Sequence, residues 1–409
     1  MNRRQLSSRF DIAILVLLTI QVSFVSLSIA VSSIAFGCWL GLWLIKIILN
    51  RSINFDKNLF AEIRAINIFI LLYIFFEILS RFFAVYPEGA FTNLKRLLLF
   101  LIFFVSIIEI SDKKTVYRIL IVNLVMISFI SIAELAQYTI KFSELISKMS
   151  FSEIRIDYFN YPLTTAEIKM MSLLSVFPLL FIKEKFILDK KYIILILLPV
   201  FVSMILTQSR NVLLATFICF LISGIVLNKK FLLAMIVIIV LSYFIMPSSY
   251  IERVKSIADI NHPSNASRLN MWSVGLRMFS DHPFTGIADS HILEIYETYK
   301  KPEFQSEGVH LHNNFIMILA TTGIFGFLSF LIMFILIFFK QIKFYRNEKT
   351  DTDKMLILGS ILVMISFQIS GIFEWSFGDH EVMTVFFFLI SVPFVIYKLN
   401  STEQIKHNN

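Results

Sequence analysis

The sequence predicts an all-α, polytopic integral membrane protein, and three observations point to that class. Hydrophobic residues make up 57% of the 409 residues and charged residues 16%, whereas soluble domains have roughly 45–50% and about 25%. The apolar residues are collected in long runs, and a helix of about 20 residues crosses a bilayer. Because lipid offers no water to backbone polar groups, such runs must close their own hydrogen bonds as helices.

We interpret twelve apolar segments as membrane crossings. The basic start of the chain has no small-residue cleavage site after it, so the first crossing is expected to be retained. The predicted organisation is nine transmembrane helices in 1–247, a large loop with amphipathic helices in 248–313, three helices in 314–397 and a tail in 398–409. The segments are 12–28, 31–49, 65–80, 97–110, 119–140, 170–183, 191–207, 211–227, 231–247, 314–339, 355–373 and 382–397.

The basic residues indicate how the chain crosses the membrane. Counted over alternate loops, Lys and Arg are in excess on the side of the N-terminus, which predicts that both termini are cytoplasmic. Two long loops, about 141–169 and 248–313, then lie on the outer side. The net charge is +8. The lysines and arginines are scattered between apolar segments and do not form a stripe along one face, which argues against nucleic-acid binding. Cys38 and Cys219 both lie in apolar runs and are interpreted as core residues, without a disulfide framework.

A polar segment around Arg210 interrupts an otherwise apolar stretch. An arginine near bilayer depth is costly unless it lines a watery cavity or meets an anion. Two interpretations stay open at this point. Arg210 either caps a tight turn and reaches the headgroups, or it binds an anion, since a guanidinium matches phosphate oxygens with two parallel hydrogen bonds.

Residues 267–279 are predicted to form an amphipathic helix on the outer surface, with an apolar stripe of Leu269, Trp272, Leu276 and Phe279. Arg268 is expected in its first turn, and the helix is expected to end at the Asp281-His282-Pro283 break. Arg268 could reach a second phosphate oxygen if the helix packs over Arg210. The alternative is that Arg268 and Arg277 only form the solvated face.

Two histidines, His310 and His312, precede a predicted crossing. A histidine at a membrane boundary that faces an outer cavity suits a general base, because its ordinary pKa lies near operating pH. A structural role is the alternative. A metal site is disfavoured, because Glu307 is the only further ligand of suitable type nearby in sequence. Gly323 and Gly326, within the crossing, are expected to allow close helix packing.

Two further segments are acidic. The loop Phe373–Glu381 is acidic and aromatic, and it either completes the same outer cavity or forms a turn with interfacial aromatics. Asp351-Thr352-Asp353 has the Asp-x-Asp form of a metal and nucleotide-sugar site. Because it lies in a Lys-rich loop predicted on the opposite side, we interpret it as a solvated charge cluster.

These motifs resemble the bacterial O-antigen ligase and polymerase superfamily. The ligase branch has an Arg-x-x-x-Leu element, matched by Arg210 to Leu214, and a His-Asn pair followed by nine residues and Gly-x-x-Gly, matched by His312-Asn313 and 323–326. Phe327 departs from the small or β-branched residue often found after the second glycine. The segments 268–272 and 282–286 resemble the wider superfamily, so they do not separate ligases from polymerases.

The resemblance implies an inverting, metal-independent glycosyltransferase of the bacterial inner membrane, with its active site facing the periplasm. It implies transfer of a preassembled glycan from undecaprenyl pyrophosphate to lipid A-core, with no cofactor and no nucleic-acid partner. Membrane lipids are the surrounding partners. His312 would be the base, with Arg210 and Arg268 on the donor diphosphate. The residues assigned to substrate binding are Arg210, Arg268, Asn313, His310 and Trp272.

Two other functions stay open. An O-antigen polymerase would use another lipid-linked repeat unit as acceptor. A transporter of lipid-linked sugars would carry charged residues buried in the middle of several crossings, whereas Glu77, Glu109 and Glu134 lie nearer segment ends.

Overall fold

A computed structural model describes residues 3–50, 57–145, 154–157, 161–183, 186–245, 259, 261–304 and 310–408. Within these ranges the chain is helical and contains no β-strand, as the composition predicts. The α-helices are α1 Arg3–Phe24, α2 Ile29–Asn50, α3 Lys57–Phe82, α4 Phe100–Glu109, α5 Lys113–Leu145, α6 Pro162–Val176, α7 Lys190–Leu206, α8 Arg210–Leu227, α9 Lys229–Ile245, α10 Pro263–Asp281, α11 Ile292–Tyr299, α12 Asn314–Asn347, α13 Asp351–Ser370 and α14 His380–Asn408. Short 3₁₀ helices cover Thr92–Leu99, Phe177–Phe181 and Ser376–Gly378.

A helix lies at the position of every predicted crossing. However, the number of helices that are long and apolar enough to cross a membrane is smaller than the predicted twelve. Among the described residues there are eight of them. Of the other four positions, three have short helices, with 10 residues in α4 and 17 each in α7 and α9, and the first predicted crossing lies on the 22-residue α1. The eight are Ile29–Leu49, Asn58–Phe82, Lys113–Glu144, Pro162–Phe181, Arg210–Leu227, Asn314–Asn347, Asp351–Ser370 and His380–Thr402.

The spans near the C-terminus form the centre of the bundle. The apolar stretches of α6 and α14 are each 89% buried, whereas that of α2 is 22% buried. α14 packs against α4, α6 and α13, and α12 packs along α3. A peripheral membrane helix leaves its apolar face to lipid. Cys38 of α2 is accordingly exposed, in contrast to its predicted core position, whereas Cys219 is buried.

Buried charges inside the bundle correct two predictions. Lys169, in α6, is buried and pairs with Glu134 of α5. Asp353 is fully buried and accepts hydrogen bonds from Lys113 at 2.6 Å and Tyr117 at 2.8 Å, so it is not a solvated charge. The buried pair of Lys169 and Glu134 joins two crossing helices, so the position of Glu134 nearer a segment end no longer argues against a transporter. Each of these charges is neutralised by a partner, as burial requires.

Helix α10 begins earlier than predicted and buries a different face. It starts at Pro263, so Arg268 lies in the second turn, and it ends at Asp281 as expected. Its buried residues are Met271, Val274, Gly275 and Met278, while Leu269 and Leu276 are 42% and 48% exposed. A Cβ on Gly275 would lie 2.6 Å from Ile316 of α12. The predicted stripe is therefore replaced by a face that packs against the start of α12.

α12 is kinked at Gly323, where its backbone contacts the segment that follows α10. Gly323 has φ 69° and ψ −174°, a backbone region open almost only to glycine. The kink lets Ile324 donate its backbone N–H to the Pro283 carbonyl at 2.8 Å, and Ile287 donates to the Ala320 carbonyl at 3.0 Å. Gly323 therefore permits a backbone contact with a loop, in addition to the helix packing expected of the glycine pair.

Replacing Gly323 by alanine is expected to destabilise the fold. The new Cβ would lie 2.5 Å from the backbone of Phe284, and a non-glycine residue at this φ and ψ costs about 1–3 kcal/mol. We expect a lower midpoint of thermal unfolding for the detergent-purified protein. Gly37→Ala in α2 is the matched control, since no atom lies within 4 Å of its Cβ position. Equal midpoints for the two variants would contradict this role of Gly323.

Candidate functional site

A pocket of about 280 Å³ brings together residues that are far apart in sequence. Three arginines line it, namely Arg155, Arg210 and Arg268, together with His312. Three guanidinium groups around one small volume create a strongly positive site, and guanidinium is well suited to phosphate oxygens. The geometry predicted from sequence, with Arg268 close to Arg210 and next to His312, is present.

Ser264 links the two arginines predicted from sequence. Arg210 is the first residue of α8, and its Nη2 donates to Ser264 Oγ at 2.9 Å and to Asn265 Oδ1 at 3.4 Å. Arg268, one turn further along α10, donates to the same Ser264 Oγ at 3.4 Å. α10 therefore packs over Arg210, and the contact is made by the Ser264 hydroxyl in its first turn.

Arg155 was not identified from the sequence. It lies between Ile154 and Ile156, which are 0% and 3% exposed and pack in a small cluster with Tyr138. Gln208 Nε2 donates to the Ile154 carbonyl at 2.9 Å, and the Ile156 N–H donates to the Leu206 carbonyl at 3.1 Å. The polar segment before Arg210 thus anchors Arg155 beside it. The alternation of apolar and charged residues at 154–157 was the available signal.

A buried carboxylate joins the two histidines. His312 Nδ1 lies 3.0 Å from both oxygens of Glu374, and His310 Nε2 lies 3.1 Å from Oε1. Burial raises the pKa of Glu374, but the hydrogen bonds and charges of the two histidines outweigh burial and bring it to about 2. Glu374 is therefore ionised at neutral pH and only accepts hydrogen bonds. His312 must then donate from Nδ1, which leaves Nε2 as the nitrogen that can accept a proton.

The residues after His312 fasten the Phe373–Glu381 loop to α12. Asn313 caps α12, since its side chain accepts from the N–H groups of Phe315 and Ile316 at 2.8 and 3.0 Å. It also donates to the Ile372 carbonyl at 2.8 Å. The structure thus gives Asn313 a structural role, and its contact with substrate stays a prediction.

Asn314 makes a second connection to the same loop. Its backbone N–H donates to the Gly371 carbonyl at 2.7 Å, and its side-chain oxygen accepts from the Phe377 N–H at 3.0 Å. Together these bonds fix Glu374 opposite the histidines. The loop therefore belongs to the site, which the sequence left undecided.

A larger cavity of about 810 Å³ lies on the other side of the histidine cluster. His310 and Glu374 line this cavity, whereas His312 lines the arginine pocket, and Tyr161 and Leu163 line both. The two spaces therefore meet at the histidines. The larger cavity also carries aromatic, acidic and basic groups, including Trp375, Glu167, Asp379 and Lys95.

The carboxylates of the larger cavity are held in place by hydroxyl groups. Glu167 accepts from Ser376 at 2.8 Å and from Ser370, and Asp379 accepts from Thr164 at 2.6 Å. Burial, followed by the charge and hydrogen bond of Glu381, raises the pKa of Asp379 to about 7. A wall of fixed carboxylates, amides and aromatic rings offers both hydrogen bonds and a flat apolar surface, which suits a saccharide.

A buried ion-pair network closes the cavity near α3. Glu77 and Asp289 both pair with Arg81 and Arg96. Arg96 also lies over the Trp375 ring, 5.5 Å from its centroid. The network fixes the loop around Asp289 to the bundle. Because the charges of its two arginines and two carboxylates cancel, it adds little net charge to the site.

The predicted contact of Trp272 with substrate gains no support. Trp272 does not line either cavity, its ring packs 6.3 Å from Phe373, and its indole N–H is buried without a hydrogen-bond partner among the described residues. The aromatic ring that lines the larger cavity is Trp375. Glu307, considered from sequence as a metal ligand, lies outside the described residues. The fold instead supplies Glu374 as a third group beside His310 and His312.

The fold and the site define a multi-pass membrane protein with a cationic pocket beside a histidine cluster. Residues 194–331 match the O-antigen ligase family model, so the chain carries an O-antigen ligase family domain over those residues. The chain is also similar to the teichuronic acid biosynthesis protein TuaE of Bacillus subtilis (strain 168), with 28% identity over 141 residues. That match covers 34% of this chain and 27% of the relative.

The family match covers part of the site. It contains Arg210, Arg268 and both histidines, whereas Arg155 and Glu374 lie outside it. The tertiary structure is therefore the reason to assign those two residues to the site.

Proposed function

We propose that this protein is an O-antigen ligase, a glycosyltransferase that moves a preassembled glycan from undecaprenyl pyrophosphate to lipid A-core. The observation that carries the proposal is the position of His312, which lines a pocket of three arginines while its partner Glu374 lines the adjoining cavity. A diphosphate leaving group needs neutralisation of charge, and an acceptor hydroxyl needs a base. The arginine pocket provides both the cations and His312, and the larger cavity adjoins it at the histidine cluster.

The donor diphosphate occupies the arginine pocket in this proposal. Arg210, Arg268 and Arg155 neutralise the negative charge that grows on the leaving diphosphate, and fixed cations are most effective when the protein holds them in place beforehand. Their guanidinium groups supply the charge without requiring a metal ion.

The acceptor sugar occupies the larger cavity, with its hydroxyl directed at His312. His312 Nε2 takes the proton of this hydroxyl as its oxygen attacks the anomeric carbon, and the bond from that carbon to the diphosphate oxygen breaks. Undecaprenyl pyrophosphate leaves, and the configuration at the anomeric carbon inverts. The Glu374 carboxylate accepts a hydrogen bond from Nδ1–H and stabilises the imidazolium that forms. Glu374 is therefore a positioning residue.

The proposed location is the bacterial inner membrane, with both termini in the cytoplasm and the site in the periplasm. α12 supports this orientation, because its 34 residues span roughly 50 Å. The site lies at its beginning, and Lys340 and Lys343 pair with Glu62 near its end. The excess of basic residues is thus at the end opposite to the site, as expected for a cytoplasmic face.

A polymerase of lipid-linked repeat units is the alternative. Its donor chemistry is the same, and only the acceptor differs. The similarity to a protein of teichuronic acid biosynthesis does not separate the two acceptors. The Arg-x-x-x-Leu and His-Asn spacings favour the ligase.

Deletion of the gene, followed by gel analysis of lipopolysaccharide, tests the proposal. For a ligase we expect loss of all O-chain from lipopolysaccharide, with polymerised undecaprenyl-linked glycan accumulating. A core carrying a single repeat unit would instead identify a polymerase. Unpolymerised intermediates trapped on the inner face would identify a transporter. Plasmid-borne wild-type protein is the control, and it should restore the O-chain.

A further inference from the structure

We propose that His310, His312 and Glu374 form a binding site for a divalent transition-metal ion such as Zn²⁺, and that the bound ion inhibits the protein. The binding follows from the geometry alone. The inhibition rests on the proposed function, because it requires His312 to act as the base.

The three side chains already have nearly the spacing that a metal requires. Their ligand atoms all lie within 4.8 Å of one another, and the two histidine nitrogens lie 3.0 and 3.1 Å from Glu374 oxygens. In a tetrahedral zinc site, bonds of about 2.0–2.1 Å place neighbouring ligand atoms about 3.3 Å apart. The two histidine–carboxylate distances therefore differ from this spacing by a few tenths of an ångström, and the two histidine nitrogens, which lie within 4.8 Å of each other, complete the chelate when the rings turn towards a common ion.

The chemistry of the three groups selects the kind of ion. Two imidazoles and one carboxylate are a known ligand set for zinc, whereas Mg²⁺ and Ca²⁺ prefer oxygen ligands alone. The ion would replace the ring protons that now point at the carboxylate. Glu374 Oε1 also accepts from the Trp375 N–H at 3.1 Å, whereas Oε2 accepts from His312 alone among the described residues. Oε2 therefore has spare capacity to bind an ion.

The cluster is both held in place and accessible. The hydrogen bond of Asn313 to Ile372 and that of Asn314 to Gly371 join the two segments that carry the ligands. His310 is 33% exposed and lines the larger cavity, so an ion can enter there and water can fill the fourth position.

Binding at His312 Nδ1 would remove the base. A neutral imidazole has one lone pair and one N–H, so a metal on Nδ1 leaves the proton on Nε2. Nε2 can then no longer accept the proton of an acceptor hydroxyl. A second effect points the same way, since the Glu374 carboxylate would be engaged by the ion rather than by the imidazolium.

Titration with Co²⁺ tests the binding without any glycan substrate. The full chain is purified in detergent with an affinity tag that contains no histidine, and the visible absorption of Co²⁺ with tetrahedral geometry is recorded. We expect this absorption in the wild type, its loss on addition of Zn²⁺, and at least about tenfold weaker Co²⁺ binding in Glu374→Gln and His310→Ala. His291→Asn is the matched control and should bind as the wild type does, because His291 contacts the Glu88 carbonyl and lines neither cavity.

Two results would overturn the site. One is the absence of tetrahedral Co²⁺ absorption in the wild type, and the other is equal affinity in both variants and the wild type. Elution of each variant as the same monodisperse species as the wild type confirms that folding is retained. The use of two variants on different segments protects the test against misfolding of either one.

Transfer assays in the presence of Zn²⁺ then test the inhibition. We expect Zn²⁺ to stop transfer by the wild type, a chelator to restore it, and the residual transfer of His310→Ala to resist Zn²⁺. Transfer that continues while Zn²⁺ displaces Co²⁺ would overturn the inhibitory role. A protein that binds Co²⁺ but transfers no glycan even without Zn²⁺ would refute the proposed function and leave the metal site intact.

Discussion

Alanine in place of Arg210 or Arg268 is expected to reduce glycan transfer by about 10²–10³-fold, while the protein still inserts into the membrane. Each arginine lines the pocket proposed for the donor diphosphate, and both contact Ser264. The loss should appear in the rate of transfer, because the negative charge on the leaving group increases towards the transition state. The measurement is transfer from lipid-linked glycan by purified variants, together with restoration of O-chain in a deletion strain.

Further variants separate charge from geometry. Lysine at either position retains the charge but lacks the fork of donors, so we expect partial activity at most. Arg155→Ala should also reduce transfer, because Arg155 lines the same pocket. Arg277→Ala is the matched control on α10, since its guanidinium lies 5.9 Å from the Phe304 ring and does not line the pocket. Near-normal transfer by Arg210→Ala or Arg268→Ala would exclude that arginine from the mechanism.

The second large effect is expected at His312. Loss of a general base typically costs about 10²–10⁴-fold in rate, and we expect His312→Ala to fall in that range. His310→Ala should be milder, because His310 contacts the same carboxylate but lines the larger cavity and not the arginine pocket. Transfer rates of the purified variants provide the measurement. The reverse ranking of the two histidines would assign the base to His310.

Substitutions at Glu374 test whether its carboxylate orients the imidazole of His312. Glu374→Gln keeps the size of the side chain but removes the charge that fixes the proton on Nδ1, so kcat should fall at least about tenfold while KM changes little. Glu374→Asp should retain more activity, since it keeps the carboxylate. His291→Asn serves again as the control. A KM effect without a kcat effect would mean that Glu374 contacts the acceptor instead of positioning the base.

The sequence by itself determined the membrane class and the helices, and it predicted that Arg210, Arg268 and His312 form a site. Long apolar runs have only one way to satisfy their backbone in lipid, so a helix lies at every predicted crossing. Arg210 was recognisable because an arginine near bilayer depth is costly without a role, whereas Arg268 and His312 were singled out by their places in the predicted outer loop and by the family resemblance. Their assembly around one pocket was predicted on the condition that α10 packs over Arg210, and it does.

The tertiary structure alone decided which other residues join them. Arg155 and Glu374 are separated from His312 by 157 and 62 positions in sequence, and local patterns carry no information on such distances. The face of α10 that is buried was misjudged for the same reason, because Gly275 packs where the stripe favoured Leu276. Paired charges such as Lys169 with Glu134 could not be foreseen either. Burial of a charge depends on a partner that only the folded chain brings close.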